Sequence, residues 1–123
     1  MAKPQHERLL CEAGQLLFDK KAFNILAIDV RSFSTMTDYF MVAEGSVERH
    51  VSALAGYLLD YFAERGVHPL HLEGHKRGDW VVLDYGDFVI HLMEPEMREK
   101  YHLEEMWKAG KIVDLKLILP HTL

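Results

Sequence analysis

The stretch from Trp80 to His91 most narrows what this chain can become. It reads Trp-Val-Val-Leu-Asp-Tyr-Gly-Asp-Phe-Val-Ile-His, two runs rich in β-branched and aromatic residues with a glycine between them. A hairpin is expected, with strands over 79–84 and 87–93 and a turn at Tyr85-Gly86. With that turn, Leu83 opposes Phe88 and Val81 opposes Ile90, an apolar face to be covered by helices. The other face pairs Trp80 with His91, Val82 with Val89 and Asp84 with Asp87. Directly opposed carboxylates cost stability, so such a pair beside a tryptophan suits a surface that meets a basic partner.

The surrounding chain supplies helices for that sheet. Val47, Val51, Leu54, Ala55, Leu58, Leu59 and Phe62 form one apolar stripe at helical spacing. Ser46 is the expected N-cap of this helix and Gly66 its stop. Leu9, Leu10, Ala13, Leu16 and Leu17 mark another amphipathic helix over 5–20. Strands are expected at 23–30, with Leu26, Ile28 and Val30 on one face, at 39–43 and at 68–73. Pro95 fits the first turn of a last helix bearing Met97, Tyr101, Met106 and Trp107. The order α-β-β-α-β-β-β-α gives an α/β fold, a mixed sheet of about five strands flanked by helices in a single domain. That domain is expected over 1–110, with 111–123 as a tail; its run Leu115–Leu119 is apolar enough to add a strand or pack on a neighbour.

Charge and cysteine content narrow the function. The 123 residues carry a formal charge of −5, which argues against a nonspecific nucleic-acid binder and leaves a basic partner open. Cys11 is the one cysteine, so no internal disulfide forms. No run approaches a membrane span, and the polar start from Met1 to Arg8 has no secretory pattern, so a cytoplasmic protein is expected.

Two sets of residues have both a chemical and a structural explanation. His71, Glu73 and His75 would share one face of a strand and can supply zinc ligands. Gly74 ends that strand, and no H-E-x-x-H or paired-cysteine spacing supports a metal, so neither metal nor cofactor is assigned. Gly45-Ser46 after a strand, with nearby carboxylates, outlines a nucleotide-binding or nucleotidyltransferase enzyme. A lone Gly-Ser is explained equally well by helix capping, so this enzyme stands as the alternative to a non-catalytic role.

The motifs then converge. Asp38-Tyr39-Phe40, Gly45-Ser46-x-x-Arg49-x-Val51, Gly74, the run Trp80–His91, and Arg98-x-x-Tyr101-x-Leu103-Glu104-x-x-Trp107 occur in order over roughly residues 8–108. Together they resemble the ribosomal silencing factor family, also called Iojap. His50, Lys100 and Met106 depart from the residues usual there. The resemblance implies a nucleotidyltransferase-like fold without catalysis, often homodimeric, that binds large-subunit ribosomal protein fourteen. Bound there, such a factor sterically blocks joining of the small and large subunits and represses translation in starvation or stationary phase. The expected contacts are Trp80, Asp84, Tyr85, Asp87 and His91, with Arg98 and Tyr101 as supports.

Overall fold

The computed structural model describes residues 4–101 and 104–119. Leu103 and the side chains of Met106 and Trp107, which the family resemblance and the last apolar stripe draw on, lie outside the described residues, as does the start of the polar N-terminus. In chain order the elements are α1 (Pro4–Asp19), β1 (Phe23–Asp29), β2 (Tyr39–Glu44), α2 (Glu48–Ala63), β3 (His71–Glu73), β4 (Trp80–Asp84), β5 (Phe88–Met93), α3 (Pro95–Tyr101), α4 (Glu104–Ala109) and β6 (Lys111–Ile112).

The strands form one sheet in the order β3-β4-β5-β2-β1-β6. Neighbours are antiparallel except β2 and β5, which run parallel because α2 and the β3–β4 pair intervene between them. The sixth strand comes from Lys111–Ile112, which pairs with β1 at one edge. Beyond it Leu115 is buried against α1, where a Cβ on Gly14 would lie 3.0 Å from its Cδ1.

Both faces of the sheet are apolar near its centre, as expected for strands covered twice. Leu10, Ala13 and Leu17 of α1 and Val51, Leu54, Leu58 and Phe62 of α2 join Val81, Leu83, Ile90 and Leu92 in the larger core. On the opposite face, Ile28, Val30, Phe40, Val42 and Met93 form a smaller cluster, with Leu26, Trp80 and Met97 of α3 packed against it. The shared face of Leu26, Ile28 and Val30 is the one their alternation requires.

Two local expectations need correction. The N-cap of α2 is Val47, with no side-chain cap bond, and not Ser46. The His50 ring does the work instead: Nδ1 accepts the Ser46 N–H at 3.0 Å, and Nε2 donates to the Lys20 carbonyl at 2.9 Å. A side chain inside the helix thus satisfies a donor before its first turn and ties it to the end of α1. Next, β3 is shorter than 68–73, because Pro69 has no N–H to offer a ladder. The expected last helix is helical over Pro95–Tyr101 and Glu104–Ala109, and residues 102–103 between them lie outside the described residues. Gly66, with φ +73°, does end the turn after α2.

The hairpin register also differs. Trp80 opposes Met93, Val82 opposes His91, Leu83 opposes Ile90 and Asp84 opposes Val89. The Tyr85 N–H donates to the Phe88 carbonyl at 2.9 Å, so the central turn residues are Gly86-Asp87 and not Tyr85-Gly86. Gly86 has φ +86°, the left-handed value that the first central position of a tight hairpin demands and that tyrosine resists. Moving the turn centre by one residue shifts each pairing by two. Side-chain period is two, so the strand residues keep their faces, while Asp87 passes from the strand into the turn.

Candidate functional site

Alternation along β4 and β5 sends Trp80, Val82, Asp84, Val89 and His91 to the face opposite α1 and α2. All five are half-buried. The edge strand β3 extends this surface: His71 opposes Asp84, and Glu73 opposes Val82. His71 and Glu73 are exposed, and they belong to the same patch as the tryptophan.

Trp80 is fixed from two sides. Its indole Nε1 donates to Nδ1 of His91 at 2.9 Å. The Tyr101 ring, 47% exposed at the end of α3, lies with its centroid 4.8 Å from the Trp80 ring. His91 also packs on Phe40, with ring centroids 4.7 Å apart. Burial holds the His91 imidazole far below its usual range, at a pKa of about 4. The ring is therefore neutral at pH 7, with its proton on Nε2, because Nδ1 accepts from the indole. Gly74 supports the tryptophan from the other side of the β3–β4 turn. With φ +79° its missing Cβ would sit 1.9 Å from the Trp80 carbonyl oxygen, so no other residue fits.

The remaining expected contacts separate. Asp84 stays on the face and its Oδ1 accepts the Gly86 N–H at 2.8 Å, so it also shapes the turn. Asp87 does not oppose it: the Asp87 carboxylate reaches His6 Nε2 at 3.1 Å, at the start of α1. Tyr85 points to the helical side. It is buried with its ring stacked on Phe88 and edge-on to Phe62, its hydroxyl has no partner among the described residues, and burial pushes its pKa up to about 12. Arg98 is largely buried in an ion pair with Glu44 at 2.9 Å and also donates to the Asn24 carbonyl, which pins α3 to the end of β2. Trp80, Asp84, His91 and Tyr101 are thus brought to one surface. Tyr85 and Arg98 lie inside the fold, and Asp87 lies at its end.

The two weighed chemistries fare differently. Among the described residues, His71, Glu73 and His75 do not converge as a metal-ligating group. Gly45-Ser46 follows β2, with the Gly45 N–H already bonded to the Met93 carbonyl and the Ser46 N–H to His50. The cluster of ligating side chains that does form, His6, Asp38 and Asp87, sits at the other end of β2. Six strand residues separate the two, about 20 Å at the usual rise. Sequence reasoning missed Glu73 as a neighbour of Asp84, although the alternation in 71–73 carries that signal. It missed His6 and Asp38 because nothing in the chain order links residues so far apart. No helix among the described residues is long and apolar enough to cross a membrane.

The whole arrangement has counterparts. A family model described as "Ribosomal silencing factor during starvation" matches residues 3–122. The chain is 32% identical over 114 residues to the ribosomal silencing factor of Halalkalibacterium halodurans, covering 93% of this chain and 97% of that protein. It is 35% identical over 97 residues to the factor of Bacillus subtilis, covering 79% and 82% of the two chains. A crystal structure of a Chromobacterium violaceum protein superposes with a TM-score of 0.77 at 34% identity, over 89% of this chain and 90% of that one.

Proposed function

This chain belongs to the ribosomal silencing factor family, and from that premise we propose that it docks on the large ribosomal subunit through the Trp80 face and represses translation. The partner on that subunit is ribosomal protein fourteen, and the effect is steric: occupancy of that site blocks joining of the small subunit. The factor works in the cytoplasm, without catalysis and without a cofactor.

The observation that carries this reading is the Trp80–His91–Tyr101 constellation. A large aromatic held by a hydrogen bond and a ring contact loses little freedom on binding, which is what an interface anchor needs. Asp84 and Glu73 beside it give the patch negative charge suited to a basic protein. Val82 and Val89 supply apolar surface between them.

Gradient sedimentation with separated ribosomal subunits tests the proposal. Co-migration with the large subunit alone, and loss of joined particles when both subunits and the factor are mixed, are the expected results. Failure to bind either subunit would overturn it. A second copy of this chain is the competing occupant of the face, and the family's tendency to homodimerise makes it a real one. Light scattering with and without large subunits separates the two cases.

A further inference from the structure

We propose that His6, Asp38 and Asp87 form a binding site for one divalent transition-metal cation at the end of the sheet. This goes beyond the docking role and does not depend on it. The three side chains come from separate segments: the first turns of α1, the residue before β2 and the β4–β5 turn. One ligand atom from each lies within 4.8 Å of the others. The His6 and Asp87 atoms are already 3.1 Å apart, close to the ligand–ligand spacing around a cation with bonds of about 2.0–2.2 Å.

Backbone bonds fix this geometry before any ion arrives. The N–H groups of Asp38 and Tyr39 both donate to the Asp87 carbonyl, at 3.0 and 3.2 Å, and the Val30 N–H donates to the Asp38 carbonyl at 3.0 Å. The two carboxylates are therefore held together despite their like charge, which costs stability unless a cation lies between them.

His6 supplies the second observation. It is only 8% exposed, unusual for a histidine in the first turns of a helix, and its Nε2 is aimed at the carboxylates. Through Nε2 the ring can join both carboxylates around one cation. The other ring nitrogen, Nδ1, has no partner among the described residues. His6 borders a cavity of about 460 Å³, shared with Tyr85, Arg65 and Glu12. One imidazole with two carboxylates selects borderline cations such as Zn²⁺ or Co²⁺ over Ca²⁺ and Mg²⁺, which prefer all-oxygen sites.

Titration of the full chain with Co²⁺, read by its visible absorption and by calorimetry, tests the site. Saturation at one ion per chain is expected. His6→Gln and Asp38→Asn should each raise the dissociation constant at least ten-fold while keeping the wild-type melting profile without metal. His71→Gln, at an exposed histidine elsewhere, should leave it unchanged. Absence of saturable binding, or Co²⁺ affinity in both cluster variants equal to wild type, would overturn the proposal.

Discussion

Trp80 and His91 are joined by a hydrogen bond of 2.9 Å from the indole Nε1 to the imidazole Nδ1. They do not face each other across the ladder: Trp80 opposes Met93, and His91 opposes Val82. The bond is a diagonal one, within reach of two long aromatic side chains on one sheet face. It couples the tautomer of a buried histidine to the posture of the proposed anchor.

Burial of the His91 ring makes stability depend on pH. The folded His91 titrates near 4 and an unfolded histidine near 6.5. Between those values the unfolded chain binds a proton that the folded chain refuses, so stability falls as pH drops through this window. From pH 7 to pH 5 the loss attributable to His91 is about 2 kcal/mol. Urea unfolding at the two pH values measures it, and His91→Gln should flatten the slope. Ring resonances of His91 that titrate near 6.5 would remove the effect.

Truncating the anchor should weaken docking on the large subunit. Trp80→Ala is expected to cost at least ~2 kcal/mol of binding, about thirty-fold in affinity. Because Trp80 also packs on the Met93 cluster, a melting curve must accompany the binding assay. A folded variant that co-sediments like wild type would place the anchor elsewhere.

Asp84 separates charge from shape. Asp84→Asn keeps an oxygen to accept the Gly86 N–H and removes only the charge. Weaker binding at low salt, with a shallower salt dependence than wild type, is the expected outcome. Identical salt curves for the two proteins would strip Asp84 of an electrostatic role.

The Arg98–Glu44 pair is a structural tie, with side chains only 12% and 8% exposed. Arg98→Met leaves a buried carboxylate without its cation and should cost about 3–5 kcal/mol in chemical denaturation. The double variant with Glu44→Gln should recover part of that loss. A double variant whose loss equals the sum of the two single-variant losses would mean that the two residues act independently.

Alternation and helical spacing determined much of this protein by themselves. The face shared by Leu26, Ile28 and Val30, the stripe of α2 and the two faces of the hairpin all follow from periods of two and 3.6, which are properties of the backbone alone. The hairpin faces survived a misplaced turn because the resulting slip was even. What tertiary structure decided were relations between segments. Tyr85 became core because the turn sits one residue later, which makes it the last inward-facing position before Gly86. Arg98, expected from the sequence as a support of the contact face, pairs with Glu44, which comes close only when α3 docks on the end of β2. His6, Asp38 and Asp87 meet because the parallel pairing of β2 with β5 sets Asp38 beside the β4–β5 turn, and α1 starts its path over them. Such meetings depend on which strands pair, and pairing is settled by burying one common core rather than by any local run of residues.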